Sequence, residues 1–233
     1  SRFFSTKKVL FKGEGLYSTI RITKKGSQIN LYVGKGFLQS SVNFEAIPQG
    51  TVFDWYLAAP WFSGNFEGKL NSLLILGLGA GSQVKSYNQI YKVDKVTGVE
   101  IDPLIISLGK KYFNLNEANL NTINGDACFF LKTATDTYDQ IILDPFKEAV
   151  FEETCQSLRF FYQVHKHLTP EGVLLVNRVG GDPSNPEMGR ELKKVFKTVV
   201  ILRICNNLFF VSTNSQRSPK SSREVRQLLL KAS

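Results

Sequence analysis

The sequence has few of the residues from which disulfide frameworks and metal clusters are built. It contains 3 cysteines and 2 histidines in 233 residues, and Cys128, Cys155 and Cys205 form no C-x-x-C motif. An odd, widely spaced set of cysteines predicts neither a disulfide framework nor a zinc cluster, so we expect no bound metal. His165 and His167 lie two residues apart on a predicted helix and cannot share a face, which favours structural roles for both.

Long apolar runs are also absent. No stretch reaches the 18 residues needed to cross a bilayer, and the first residues lack the charged-then-apolar order of a signal peptide. The composition, 42% hydrophobic and 21% charged, excludes disorder, collagen and coiled coil. We therefore expect a folded protein with no membrane segment, located in the cytoplasm.

Acidic residues are scarce at the two ends of the chain. Residues 1–40 hold eight Lys or Arg and one acid, and residues 212–233 hold five and one, whereas the middle is nearly neutral. Basic ends attract nucleic acid or other anionic partners, although such runs more often serve solubility. Binding of nucleic acid is therefore kept as the less favoured interpretation.

The first 50 residues predict a small antiparallel sheet, because short stretches that alternate polar and apolar residues are separated by Gly-containing turns. Residues 52–62 are rich in aromatics and predict a helix over the entrance of the next domain. We divide the chain into an N-terminal β-hairpin or meander cap (1–50), a main domain (51–213) and a basic tail (214–233) with a weak helix near residues 225–230.

From residue 72 onward, short apolar runs alternate with helical stretches. This pattern predicts a mostly parallel sheet that is covered by helices on both faces, a doubly wound α/β fold. Asn206-Asn207 is a hairpin signal that predicts an antiparallel strand at the sheet edge. The predicted helices follow Ser82 and cover residues 103–113, 152–167 and 186–196.

A glycine turn follows the first apolar strand of this domain. Gly77, Gly79 and Gly81 come between that strand and a predicted helix, and glycine lets a backbone approach a ligand closely at a helix N-terminus. The spacing G-x-G-x-G differs from the dinucleotide pattern G-x-G-x-x-G, which favours a nucleoside over a dinucleotide.

Acidic residues end the following strands. Glu100 and Asp102 end the second strand, Asp126 the third and Asp144 the fourth. Ligands of doubly wound sheets bind at this edge, and an acid after the second strand can reach ribose hydroxyls. Asp102 and Asp126 are equally well explained as helix N-caps.

At these residues the chain resembles the spermidine synthase (polyamine aminopropyltransferase) family, within the Rossmann-like fold of class I S-adenosylmethionine-dependent transferases. The resemblance runs from about residue 17 to residue 177 and includes the strand-turn-strand that ends at Gln39, the stretch from Val99 to Pro103, and Gly125-Asp126. It implies transfer of an aminopropyl group from decarboxylated S-adenosylmethionine to an amine such as putrescine, and a homodimer.

The resemblance also implies roles for particular residues. Asp144 would hold the amine nucleophile and act as the catalytic residue. Phe146 and Tyr56 are the further expected substrate contacts. The expected cofactor contacts are Gln39, Gly77, Leu78, Gly79, Gly81, Glu100, Ile101, Asp102, Asp126, Ala127 and Asp144.

Several positions depart from the pattern of that family. Ala80 replaces the acid that grips the aminopropyl ammonium, Val52-Phe53 stand where a Tyr-Gln pair is usual, and the amine-binding loop is shortened to Asp144-Pro145-Phe146. Methyl transfer from S-adenosylmethionine to a small molecule or a nucleic-acid base is therefore one alternative. A nucleoside-binding relative without catalysis is another.

Overall fold

A computed structural model describes residues 6–46, 49–147, 150–151, 153–180, 187–215 and 223. Its strands are β1 (Lys8–Glu14), β2 (Thr19–Lys25), β3 (Gln28–Val33), β4 (Phe37–Asn43), β5 (Lys69–Leu76), β6 (Lys92–Glu100), β7 (Leu120–Asn124), β8 (Tyr138–Leu143), β9 (Phe146–Lys147), β10 (Val150–Phe151), β11 (Leu168–Val179), β12 (Thr198–Ile204) and β13 (Asn207–Thr213). Its helices are a 3₁₀ helix (Val52–Phe62), α1 (Ser82–Ile90), α2 (Pro103–Tyr112), α3 (Ala127–Thr133), a 3₁₀ turn (Glu153–Gln156), α4 (Leu158–Lys166) and α5 (Glu187–Lys193).

The N-terminal strands form the expected antiparallel sheet, in the order β1-β2-β3-β4. Alternate residues of β2 and β3 are buried, among them Ile20, Ile22 and Leu31. They pack with Ile105 and Leu108 of α2, so the small sheet lies against the main domain. This burial of one face explains the polar and apolar alternation in the sequence.

The main sheet has seven strands in the order β12-β13-β11-β8-β5-β6-β7. The predicted fold class is confirmed, because β11, β8, β5, β6 and β7 pair in parallel. The predicted position of the antiparallel strand was wrong. β13 runs antiparallel between β11 and β12, and β12 forms the edge. The hairpin turn is Cys205-Asn206, one residue earlier than expected.

Both faces of this sheet are covered. On one face, the 3₁₀ helix and α1 bury residues such as Tyr56, Leu57 and Tyr87 against β5 and β11. On the other face, α4 and α5 bury Phe161 and Leu192. Central strands are therefore apolar on both sides, which is why residues 73–76 of β5 have no exposed surface.

Two helices differ from the sequence-based boundaries. Within the stretch predicted as one helix over 152–167, the described residues from Glu153 onward form a 3₁₀ turn followed by α4. The two are separate because Ser157 caps α4 by accepting a hydrogen bond from the Phe160 N–H at 3.2 Å. α5 ends at Lys193, three residues before the predicted end. Pro186 and the predicted tail helix lie outside the described residues.

The register of the parallel strands brings their carboxyl ends to one level. Leu76 of β5 pairs with Val99 of β6 and with Leu143 of β8, and Glu100 pairs with Asn124 of β7. The residues that follow these strands therefore meet at one edge of the sheet. Among the described residues, no helix is long and apolar enough to span a membrane.

Candidate functional site

Two cavities open at the carboxyl edge of the main sheet. The first cavity lies over the ends of β5 to β8, and the second lies between β4, the 3₁₀ helix and β11. The described residues that line the first are Gln39, Gly77, Val99, Glu100, Ile101, Gly125, Asp126, Ala127, Asp144, Pro145 and Cys155. Those that line the second are Gly36, Phe37, Leu38, Gln39, Ser40, Val52, Phe53, Gly77, Leu78, Gly79, Gln83, Asp144, Asn177, Val179 and Asn207. Gln39, Gly77 and Asp144 belong to both, so the cavities meet there.

Gly77 sits where the two cavities meet and cannot carry a side chain. Its φ is +92°, and a Cβ at this position would lie 2.3 Å from the carbonyl oxygen of Asp144. The Asp144 N–H donates to the Leu76 carbonyl at 2.8 Å, which fixes the two strand ends side by side. Glycine is required here by both backbone conformation and space.

The backbone N–H groups of the glycine loop are all bound within the protein. Those of Gly77 and Leu78 donate to the Val99 carbonyl at 3.0 and 2.9 Å, and that of Gly81 donates to the Leu78 carbonyl at 3.1 Å. Gly79 N–H donates to Glu100 Oε2 at 2.8 Å, and Ala80 N–H donates to Ser40 Oγ at 3.0 Å. The loop is thus held in place before any ligand binds.

β4 is attached to this loop, and that attachment positions Gln39. Besides the contact from Ala80 to Ser40, the Ser41 N–H donates to Ser82 Oγ at 3.0 Å. Gln39 Oε1 is buried and has no hydrogen-bond partner among the described residues. A buried acceptor without a partner costs free energy unless a ligand or water donates to it.

Glu100 lies at the end of β6, with only 5% of its surface exposed. Its Oε1 accepts from the Asp102 N–H at 3.0 Å and its Oε2 accepts from the Gly79 N–H at 2.8 Å. Burial raises the pKa of Glu100, and the two backbone donors partly oppose that effect. Because each carboxylate oxygen can accept more than one hydrogen bond, Glu100 can also receive hydroxyl groups from a ligand in the first cavity.

Asp144 is held by two side chains from other elements. Tyr56 Oη donates to Oδ2 at 2.7 Å, and Asn177 Nδ2 donates to Oδ1 at 2.9 Å. Asn207 Nδ2 in turn donates to Asn177 Oδ1 at 2.7 Å. Burial raises the pKa of Asp144 to about 7, and nearby Glu100 adds to the rise, whereas the two hydrogen bonds lower it. A carboxylate with this pKa can both accept and release a proton near neutral pH.

Tyr56 does not line either cavity in the described part of the chain, and its expected contact with substrate stays a prediction. Its ring is 1% exposed and packs edge-on against Phe209, with ring centroids 5.2 Å apart. Its carbonyl accepts from Tyr87 Oη at 2.5 Å, which anchors the 3₁₀ helix to α1. Burial raises the pKa of Tyr56 well above its ordinary value, so the phenol remains a donor to Asp144.

Most of the other predicted cofactor contacts line a cavity, but two do not. Gly81 has a φ of +86°, and a Cβ there would lie 2.1 Å from Leu115 Cδ1, so this glycine is needed for the turn and for packing. Asp102 accepts from the Leu104 N–H at 2.9 Å as N-cap of α2 and from the Leu16 N–H at 2.7 Å. Asp102 therefore attaches the N-terminal segment to the main domain.

Asp126 and Phe146 are two further predicted contacts. Asp126 caps α3 by accepting from the Phe129 N–H at 2.8 Å, and it also lines the first cavity, so its contact with a ligand stays a prediction. The backbone of Phe146 lies in β9, but its side chain lies outside what the structure describes.

Sequence reasoning missed several cavity residues. Gln83, Asn177 and Asn207 line the second cavity, and Cys155 lines the first. Asn177 carried a local signal, because it is a polar residue at the end of an apolar strand, like Asp144. Asn207 had no such signal, since its place depends on the insertion of β13 beside β11.

The second cavity has one ionisable group among its described lining residues, Asp144. Phe37, Leu38, Val52, Phe53 and Val179 supply apolar surface. In the described part of the chain, no group of three or more His, Cys, Asp or Glu side chains is arranged to hold a metal ion. His167 lies elsewhere, with its ring nitrogens 2.9 and 2.8 Å from the carbonyls of Asp136 and Leu131.

The glycine turn, the acid at the end of β6 and the two cavities at the carboxyl edge of the sheet are the features of a doubly wound α/β protein. The sequence profile of the spermine/spermidine synthase domain matches residues 61–206, and the chain belongs to this family. It is 32% identical over 168 residues to a probable polyamine aminopropyl transferase of Bifidobacterium longum, an alignment that covers 72% of this chain and 36% of that protein. The chain thus spans little more than a third of that relative's length.

Solved structures support the fold. A probable spermidine synthase from Corynebacterium glutamicum superposes with a TM-score of 0.80 at 18% identity, over 97% of this chain and 87% of the other. A spermidine synthase in complex with the transition-state analogue AdoDATO superposes with a TM-score of 0.73 at 14% identity, over 95% and 84%. At these sequence identities, the similarity shows a shared fold. The superposed part of this chain includes the N-terminal sheet.

Proposed function

We propose that this chain is an aminopropyl transferase domain, which binds a sulfonium nucleoside of the S-adenosylmethionine type in the first cavity and an amine acceptor in the second. The observation that carries the proposal is the place of Asp144. Asp144 lines both cavities, so its carboxylate can contact an amine that approaches a ligand bound over the glycine turn. Membership of the spermine/spermidine synthase domain family supports this assignment.

The residues of the first cavity fit a nucleoside. Glu100 can accept the ribose hydroxyls, and the stretch from Gly125 to Ala127 forms a wall for the base, with Asp126 as an acceptor for an amino group. Gln39 Oε1 offers a buried acceptor without a partner in the described residues, at the junction with the second cavity. When bound, the nucleoside supplies a carbon attached to a positively charged sulfur, which is a good leaving group.

The chain's own residues would act by positioning and by proton transfer. An alkyl ammonium has a pKa near 10.4 and must lose a proton before its nitrogen can attack. Asp144 can orient the amine and accept that proton, directly or through water, because its own pKa of about 7 leaves it ionised under slightly alkaline conditions. Tyr56 and Asn177 each hold one oxygen of this carboxylate, which restricts its orientation at a residue that lines both cavities.

Methyl transfer from S-adenosylmethionine is the second candidate, and one observation favours it. Ala80 is fully buried and packs in the apolar cluster with Ile105 and Leu108, so the glycine loop presents no carboxylate to an aminopropyl ammonium. The family to which the chain is similar usually has an acid there. A chain that binds the nucleoside without turnover is the third interpretation.

Calorimetric titration with S-adenosylmethionine, its decarboxylated form and methylthioadenosine tests these alternatives. We expect the decarboxylated form to bind more tightly than the intact one, and methylthioadenosine to be released when putrescine is added. Asp144→Asn should abolish release, whereas Asp94→Asn should not, because Asp94 forms an exposed ion pair with Lys69 at the opposite end of β6.

Each of the other possible results of this titration argues against aminopropyl transfer. Tighter binding of intact S-adenosylmethionine would overturn aminopropyl transfer in favour of methyl transfer. Binding of the decarboxylated form without product release, with every amine tried, would favour the non-catalytic interpretation. No binding of the three compounds would exclude all three interpretations.

A further inference from the structure

Two thiols lie in contact beside the first cavity. Cys128 Sγ and Cys155 Sγ are 3.2 Å apart, although the residues are 27 positions apart in sequence. Cys155 is 1% exposed and lines the first cavity. Cys128 is half-buried and is the second residue of α3, directly after the cavity residue Ala127. The pair therefore connects two separate segments of the cavity wall.

We propose that Cys128 and Cys155 form a reversible disulfide that weakens ligand binding in the first cavity. A disulfide requires a sulfur–sulfur distance near 2.04 Å, so the thiols must approach by roughly 1.2 Å. Because one sulfur lies on the 3₁₀ turn and the other on α3, that movement is shared between two segments that form the cavity. Close-packed walls transmit such a shift to the lining residues.

The oxidant we invoke is a low-molecular-weight disulfide of the glutathione type, which reacts by thiol–disulfide exchange. The thiolate of the more exposed Cys128 attacks one sulfur of that disulfide, a mixed disulfide forms, and one small thiolate leaves. The thiolate of Cys155 then attacks Cys128 Sγ, the protein disulfide forms, and the second small thiolate leaves. The protein loses two electrons and two protons, and the small disulfide gains both as two thiols.

Coupling between the disulfide and the ligand must be reciprocal. If oxidation weakens ligand binding by some factor, a bound ligand must disfavour oxidation by the same factor. We expect a factor of about five or more, which is the lower end of typical coupling between two sites. That the ligand is a nucleoside rests on the proposed function, whereas disulfide formation does not.

The test uses the full chain, treated with defined ratios of oxidised to reduced glutathione. We expect mass spectrometry after thiol alkylation to show an internal disulfide between Cys128 and Cys155. Calorimetry with methylthioadenosine should then show affinity at least about fivefold weaker, restored by reduction. Cys128→Ser and Cys155→Ser should abolish the redox effect. Cys205→Asn is the matched control, because Cys205 is exposed on the β12–β13 turn and should be dispensable.

Failure of the two proposals can be distinguished. An absence of the internal disulfide at every ratio, or a disulfide that leaves affinity unchanged, would overturn this inference. A reduced protein that does not bind methylthioadenosine overturns the proposed function and the coupling to a nucleoside together. In that case, the mass measurement still decides whether the disulfide exists.

Discussion

The hydroxyl of Tyr56 donates a hydrogen bond of 2.7 Å to Asp144 Oδ2 across 88 positions of sequence. This contact joins the 3₁₀ helix to the end of β8 and stabilises the ionised form of a carboxylate whose pKa is raised by burial. The protonation state of the proposed catalytic residue thus depends on an element outside the sheet.

Removal of this hydroxyl should raise the pKa of Asp144 further. In Tyr56→Phe the carboxylate loses one of two donors, and we expect its pKa to rise from about 7 by up to about one unit. Carboxyl-carbon NMR of Asp144 as a function of pH measures this directly. Tyr112→Phe removes a hydroxyl that donates to the Leu10 carbonyl, far from the cavities, and should leave the titration unchanged. An unchanged or lowered pKa in Tyr56→Phe would contradict the expectation.

Asp144→Asn should stabilise the protein, increasingly so as pH rises. The pKa of Asp144 is about 7 in the folded state, against an ordinary value of 3.8, so the folded protein holds this proton more tightly than the unfolded chain does. The contribution of Asp144 to the free energy of unfolding therefore falls as pH rises from about 4 to 7. An asparagine avoids that loss. Its Oδ1 can still accept from Asn177 Nδ2, and its Nδ2 can donate to Tyr56 Oη, so this one hydrogen bond reverses its direction.

Thermal and urea unfolding at pH 5 and pH 8 measure this difference. We expect Asp144→Asn to have a larger free energy of unfolding than the original protein. This gain should be about 2–3 kcal/mol larger at pH 8 than at pH 5, because over about two pH units of that interval the folded protein holds a proton that the unfolded chain has lost. Asp94→Asn serves as the control, because Asp94 lies in an exposed ion pair with Lys69, away from the two cavities. An equal gain in the free energy of unfolding at the two pH values would contradict the raised pKa of Asp144.

Gly77→Ala should lower the free energy of unfolding far more than Gly68→Ala does. The two glycines have similar φ values, +92° and +87°, but a Cβ on Gly77 would lie 2.3 Å from the Asp144 carbonyl oxygen, whereas nothing lies within 4 Å at Gly68. Gly68→Ala should cost about 1 kcal/mol from backbone strain alone, and Gly77→Ala should cost several kcal/mol. Equal losses in urea unfolding would show that no close approach exists at Gly77.

Glu100 should discriminate ribose from deoxyribose. Its two oxygens already accept from backbone N–H groups, and the proposed nucleoside adds ribose hydroxyls. We expect the original protein to bind methylthioadenosine about tenfold more tightly than its 2′-deoxy analogue. Glu100→Gln should lose this preference as well as overall affinity. A preference that persists in the variant would place the ribose elsewhere.

Part of this site was predictable because strand ends in a parallel sheet share one edge. Apolar runs at residues 73–76, 96–99 and 140–143 identified the strands, and the residues after them, Gly77, Glu100 and Asp144, had to meet once the strands paired in register. The family resemblance added Gln39, whose position in a separate sheet no local pattern indicates.

Other features depended on contacts between distant segments. From the sequence, Tyr56 was expected to contact a ligand, and Asp102 to contact a ligand or to cap a helix. The fold uses Tyr56 to hold Asp144, and it uses Asp102 to cap α2 and to accept from the Leu16 N–H. The approach of Cys128 to Cys155 arises in the same way, from how α3 and the 3₁₀ turn pack.

The α/β alternation, the glycine turn and the acids at the strand ends can be derived from the amino-acid order alone, since they follow from local periodicity and from the conformational freedom of glycine. The position of β13 between β11 and β12, the support of Asn177 by Asn207 and the junction of two cavities at Asp144 emerge only when the chain is folded. Strand order and side-chain partners come from packing between residues far apart in the chain, and local propensity does not encode that packing.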